Sequence, residues 1–290
     1  MNVMKNQPDI FIGSSAAYEE AEFVLFGAPF DGTVSYRPGA RFAPAAMRRE
    51  SYGIEEYSPY LDRELSEISV FDAGDIELPV GDTAAVVDTI EQFCEKIISD
   101  NKKPVMLGGE HLVTLGAIRS AAKTYENLAI VHFDAHTDLR DDYLGVKLSH
   151  AAVIKRAAEI IGAGNIYQYG IRSGTKEEFD CGTHLTKFTL DGVEKLPEIL
   201  GNRPVYVTLD FDVLDPSVFP GTGTPEHGGV SFNALREAIV SLGGLNIIGF
   251  DAVELCPPFD PSGISTAAAN VLLREMLLSF SNKITVKKPI

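Results

Sequence analysis

The segment Asn127–Asp138, NLAIVHFDAHTD, constrains this chain more than any other stretch. Leu128–Phe133 is almost entirely apolar and rich in strand-forming residues, which reads as a strand buried on both faces. Such a strand needs helices above and below it, so it predicts a sheet inside a helical shell. Further strands are expected at Glu22–Gly27, Ile68–Asp72, Pro104–Gly108, Asn165–Ile171, Val205–Asp210 and Leu245–Asp251. Helical segments fall between them near Ala84–Asp100, Leu112–Tyr125, His150–Ile161, Phe232–Leu242 and Thr266–Leu278. Right-handed crossovers then give one mostly parallel sheet, an α/β fold built as a three-layer α/β/α sandwich. No repeat, low-complexity segment or Pro/Gly/Ser-rich linker interrupts the sequence, so residues 1–290 are expected to form a single domain.

The polar residues of this pattern sit where the strands end. Asp134, His136 and Asp138 alternate after Phe133. Alternate side chains on extended chain point the same way, about 6.5 Å apart, so all three can face one point. Val205–Asp212 repeats the arrangement with Asp210 and Asp212; Val105–His111 closes on a Gly pair and delivers Glu110 and His111. Phe250–Glu254 places Asp251 and Glu254 on the same edge, and His150 precedes a helix shortly after the first cluster. Ligands of parallel sheets gather at this edge.

Four carboxylates crowded there without partners would repel and drive their pKa values up. Asp134, Asp138, Asp210 and Asp212 would instead balance two divalent cations. Carboxylates mixed with imidazole, without cysteine, suit Mn²⁺ and tolerate Fe, Co or Zn. Two such ions roughly 3.5–4 Å apart share a water and lower its pKa. Each piece alone has a plainer explanation. DxHxD can be a capped turn or a surface ion-pair network, and DxD is common at strand ends. His111 or His150 alone is more often structural, and Glu254 alone can be a capping or salt-bridge residue. The glycine pair most simply permits a close backbone approach. The conjunction, each member closing an apolar strand, is what a dinuclear metal site explains.

Composition narrows the partners. A net charge of −16 argues against nucleic acid, which wants a basic face. It serves solubility first, and it also fits a cationic substrate. No apolar run reaches the ~18–20 residues of a membrane span, and Met1–Gly13 lacks the pattern of a signal peptide. Cys94, Cys181 and Cys256 are odd in number and far apart, which fits a reducing cytosol and structural roles. A cytoplasmic protein with no membrane partner is the expectation.

Three motifs carry a family resemblance: LGGEH (Leu107–His111), HFDAHTD (His132–Asp138) and TLDFDVLDP (Thr208–Pro216). They resemble the signatures of the ureohydrolase family, the arginases and agmatinases. Gly27–Arg48 and Pro220–Val230 resemble the agmatinase branch, and the similarity runs over nearly the whole chain. The resemblance implies an arginase-like fold, two Mn²⁺ per subunit and a homo-oligomer, trimeric or hexameric. His111, Asp134, Asp138 and Asp210 would hold one Mn²⁺, and Asp134, His136, Asp210 and Asp212 the other, with Asp134 and Asp210 bridging. The implied reaction is hydrolysis of agmatine to putrescine and urea, by attack of a metal-bridging hydroxide on the guanidinium carbon. Glu254 would pair with the guanidinium, Asp138 would pass the proton to the leaving amine, and His150 would exchange protons with solvent.

Two positions depart from the family pattern. Ala151 stands where glycine often follows the catalytic histidine, and Phe211 fills the centre of DFD, where a smaller aliphatic is usual and a core-facing ring is expected. Arginases follow DAHxD with an Asn- and Ser-bearing loop that reads the substrate α-carboxylate and α-amino groups. Leu139–Leu148, LRDDYLGVKL, has neither residue, which disfavours arginine because an unpaired carboxylate is costly to bury. Asp141 and Asp142 read first as solvated acids; facing the pocket, they would attract an ammonium. The rivals are guanidinobutyrate, arginine or formiminoglutamate as substrate, a single-Zn²⁺ deacetylase on the related fold, and a homologue that binds without turnover. Six ligand-type residues, every expected position filled, argue against the last two.

Overall fold

The protein is described by a computed structural model over residues 10–281. Its strands are β1 (Phe23–Ala28), β2 (Tyr57–Ser58), β3 (Arg63–Glu64), β4 (Val70–Asp75), β5 (Lys103–Gly108), β6 (Ala129–Phe133), β7 (Ile166–Ile171), β8 (His184–Lys187), β9 (Pro204–Asp210) and β10 (Asn246–Val253). Its α-helices are α1 (Ala43–Ser51), α2 (Thr83–Ser99), α3 (Thr114–Thr124), α4 (Val153–Ile161), α5 (Leu196–Leu200), α6 (Phe232–Ser241) and α7 (Ile264–Phe280). Eight strands form one sheet in the order β4-β1-β5-β10-β9-β6-β7-β8, and each neighbouring pair is parallel. The short pair β2–β3 is antiparallel and lies outside that sheet.

Strand alternation sorts the core into two layers. On β6, Ala129, Val131 and Phe133 pack with the layer of α1, α5, α6 and α7, while Ile130 joins the layer of α2, α3 and α4. Both faces are therefore dry, as the continuous apolar runs require. Helix starts are held by side chains: Asp82 accepts from Ala85 N at 3.0 Å before α2, and Ser231 accepts from Ala234 N at 3.2 Å before α6.

Seven strands and five helices appear where sequence places them, with shifted ends. β4 begins at Val70 because Leu65–Glu67 forms a 3-10 turn and Ile68 caps it. α4 begins at Val153 because His150–Ala152 is likewise a 3-10 turn. β8, α1 and α5 were not expected from sequence. β8 is a short edge strand without an apolar run, α5 has five residues, and α1 buries Arg48 and Ser51.

Candidate metal centre and pocket

The four inner strands, β5, β10, β9 and β6, end nearly level. Asp210 pairs with Val253, Leu209 with Phe133, and Ala252 with Leu107. The chain runs outward from this centre in both directions and returns to insert β9 and β10, so the ends of these strands form the crevice where parallel sheets take ligands. His111 follows β5, Asp134, His136 and Asp138 follow β6, Asp210 and Asp212 close β9, and Glu254 follows β10. All seven are brought to one edge.

The inner half is centred on His111, which is 1% exposed. Its Nδ1 lies 3.1 Å from Asp134 Oδ2, 3.2 Å from Asp138 Oδ2 and 3.3 Å from Asp210 Oδ2. Nε2 is 2.9 Å from Thr208 Oγ1, which donates to Asp251 Oδ1 at 2.6 Å; Tyr206 Oη donates to Asp251 Oδ2 at 2.8 Å. Thr208 donates its hydroxyl hydrogen to Asp251, so its oxygen accepts from His111 Nε2–H, and Nδ1 is the nitrogen that would offer its lone pair to a cation. That buried Nδ1 has no hydrogen-bond partner. Burial opposes a charge on His111, but the three carboxylates outweigh it and raise the imidazole well above its usual range. Burial, with Asp212 and Asp134, pushes Asp210 well above the carboxylate range, and burial with Asp134 raises Asp138. An orphaned nitrogen facing three crowded carboxylates is a donor set for a cation.

The outer half is centred on His136, whose side chain is 24% exposed. Its Nδ1 lies 2.9 Å from Asp212 Oδ2 and 3.4 Å from Asp134 Oδ1. Asp134, His136 and Asp212 form one compact metal-competent group, and Asp134 also belongs to a second with His111 and His132. Backbone amides orient the carboxylates: His136 N donates to Asp134 Oδ1 at 2.5 Å, Asp212 N to Asp210 Oδ1 at 2.8 Å, and Ala135 N to Asp212 Oδ1 at 3.0 Å. Thr224 Oγ1 donates to Asp212 Oδ2 at 3.3 Å.

Glu254 lies beside this cluster with φ of 64°, and Asp138 has φ of 52°. Both are non-glycine residues in the left-handed region, a cost of roughly 1–3 kcal/mol each that persists only where surroundings hold it. Glu254 Oε1 accepts from His111 N at 2.8 Å. Burial and the nearby Glu110 push Glu254 up to about 8. Glu110 itself is pushed up to about 7 by burial, against two donors from Thr33.

A cavity of about 240 Å³ opens on the site, lined by His111, His136, Asp138, His150, Asp210 and Glu254, with Tyr143, Arg140, Glu178 and Ser35 further out. That is below the ~300–1,000 Å³ of pockets for drug-sized ligands and suits a small one. His150 lies edge-on to Tyr143, ring centres 5.6 Å apart, and burial lowers its pKa. Ala151 sits in the 3-10 turn, a backbone any residue adopts, and its carbonyl accepts from Arg140 N. Phe211 is buried and stacked on Phe219 at 5.1 Å, as a core-facing ring should be. Asp141 is exposed and paired with Lys155, and Asp142 caps Gly145 N; neither lines the cavity.

Sequence reasoning left several supporting residues out. Thr33 and Ser35 arrive on the loop after β1, more than a hundred residues from His150. That loop lies directly on Gly109, where a Cβ would strike the Phe30 backbone, so the glycine pair does permit a close approach. His132, inside HFDAHTD, joins Asp134 Oδ2 at 2.8 Å and Gln168 at 3.0 Å. Arg172 donates to the backbone carbonyls of Asp212 and Glu226 at 2.7 and 2.8 Å and clamps the outer loops. No local spacing signals these partners.

Comparison with known proteins gives the same assignment. The model of the Arginase family matches residues 21–279, so the chain belongs to the arginase family. An agmatinase of Bacillus anthracis is 49% identical over 280 residues, covering 93% of this chain and 96% of that protein. An agmatinase of Bacillus subtilis is 48% identical over the same shares. The crystal structure of an agmatine ureohydrolase of Thermoplasma volcanium superposes with a TM-score of 0.86 at 35% identity, covering 94% of each chain. Within the family the likeness is thus to agmatinases, and the chain is a ureohydrolase enzyme.

Proposed function

We propose that the chain hydrolyses agmatine to putrescine and urea at a pair of Mn²⁺ ions. The observation that carries this is Glu254, a buried carboxylate that lines the cavity together with the proposed ligands His111, His136, Asp138 and Asp210. His111, Asp134, Asp138 and Asp210 would hold one ion, and Asp134, His136, Asp210 and Asp212 the other. Bound there, the ions supply a water of lowered pKa and a counter-charge for oxygen developing on the carbon under attack. Glu254 accepts charge-assisted hydrogen bonds from the guanidinium and fixes its carbon over the site. Asp138 takes the proton of the attacking water and returns it to the leaving amine. His150, half-buried on the cavity wall, moves protons between site and solvent. From Leu139–Leu148 the cavity is lined by Arg140, which lies 3.8 Å from Glu178, and by Tyr143; the loop offers it no Asn or Ser.

Putrescine formation places the enzyme in polyamine biosynthesis. The described residues act as one domain, the ends of the 1–290 expectation lying outside them, in a cytoplasmic homo-oligomer, trimeric or hexameric, which light scattering would test. Among the described residues no helix is long and apolar enough to cross a membrane. The reaction is tested by urea release from agmatine, arginine and guanidinobutyrate, before and after chelation and Mn²⁺ replacement. Preference for agmatine, lost on chelation and restored by Mn²⁺, supports the reading. Preference for another guanidino compound keeps the chemistry and moves the substrate; silence on all three with metal bound refutes it.

A further inference from the structure

Glu110 is fully buried, takes no part in the reaction above, and turns both oxygens towards one residue. Thr33 donates its backbone N–H to Oε2 at 2.8 Å and its hydroxyl to Oε1. A threonine hydroxyl has one proton and two lone pairs. With the proton committed to Glu110, the lone pairs accept, and both approaches come from His150. Its backbone N–H lies 3.1 Å away and its ring Nδ1 3.3 Å away. For that second contact Nδ1 must carry the ring proton. Nε2 is then the acceptor, 3.5 Å from Ser35 Oγ, on a ring that lines the cavity.

We propose that Thr33, clamped by Glu110, is a positioning residue that holds His150 as its Nδ1–H tautomer and presents a basic Nε2 to the cavity. A carboxylate that sets an imidazole's tautomer is a recurring device of hydrolases; here a threonine hydroxyl stands between the two. The hydroxyl is not needed to anchor its own loop. Glu110 N donates to Phe30 O at 2.8 Å and Gly109 N to Ala28 O at 3.0 Å, both through backbone alone. Thr33→Val therefore removes the link and keeps shape and volume. The kinetic consequence rests on the reading of His150 as proton carrier, whereas the tautomer belongs to the chain itself.

The test is ¹⁵N NMR of the full chain, histidine-labelled and loaded with a diamagnetic divalent ion, at pH 8.5. The His150 signals are identified by their loss in His150→Gln. The expected result is an Nδ1–H ring in the wild type and in Thr33→Ser, and a mixed or Nε2–H ring in Thr33→Val. In the urea assay with Mn²⁺, Thr33→Val should lower kcat roughly ten- to hundredfold, within the ~10²–10⁴-fold that proton transfer contributes, with KM unchanged. Thr33→Ser should recover most of it. An Nε2–H ring in the wild type, or a Thr33→Val enzyme with unaltered tautomer and kcat, overturns the inference. If no guanidino compound yields urea, the proposed function fails and the NMR result still decides the tautomer.

Discussion

The two halves of the candidate metal centre share Asp134 yet are built differently. Around His111 every group is buried, and the far side of the ring is tied through Thr208 to Asp251 deep in the sheet. Around His136 the ring is partly exposed, and its Nε2 faces Glu226, 3.9 Å away and open to solvent. The inner half is preorganised by strand residues, the outer half by loop backbone and the Arg172 clamp. Rigid outer partners typically raise metal affinity by 10–100-fold. The inner ion should therefore bind tighter and exchange more slowly than the outer one.

The largest expected effect removes the distinction altogether. Asp210→Asn takes away a proposed shared ligand, so both ions and activity should be lost, by ~10³-fold or more, the several kcal/mol a metal centre supplies. Metal analysis alongside urea release checks this, and retention of both would refute the bridging assignment. Glu254→Gln keeps an acceptor for His111 N but removes the charge facing the guanidinium. It should cost about 2–3 kcal/mol, roughly a hundredfold in kcat/KM, with both ions retained. Thr208→Val should weaken one equivalent of Mn²⁺ by about 10–100-fold and spare the other, whereas His136→Ala should remove the weaker one. Calorimetric Mn²⁺ titrations of the two variants separate the halves; identical losses would abolish the comparison.

The smallest effect lies outside the centre. Asp215 accepts from Ser217 N, Gly228 N and Gly229 N, tying the loop after β9 to the stretch that carries Thr224 and Glu226. Hydrogen bonds from Ser217 hold its carboxyl well below the usual range. A carboxyl lowered on folding contributes stability above its unfolded pKa and loses it as pH falls below about 4. Asp215→Asn should flatten slightly the acid limb of a Tm-against-pH curve, and an unchanged limb would remove that tie from the account.

The contrast between the halves also marks what sequence can carry. Asp134, His136 and Asp138 follow one apolar run, and Asp210 and Asp212 another, so periodicity alone aims them. Helices follow from the same logic, because strands dry on both faces demand cover. Thr208 lies within a motif, but its tie to His111 joins residues 97 apart, and Thr33 reaches His150 across 117. Such contacts arise from strand order and loop packing, which spacing does not encode. The acids at 141 and 142 read first from sequence as solvated, and the structure agrees: Asp141 is exposed and paired with Lys155, and neither lines the cavity.

The most direct measurement is urea release from agmatine as Mn²⁺ is added back to chelated protein, with bound metal counted per chain. Little activity with the first equivalent and a rise to full rate as the second binds is the expected result. Full activity at one equivalent, or none with two bound, would contradict a paired-metal agmatine hydrolase.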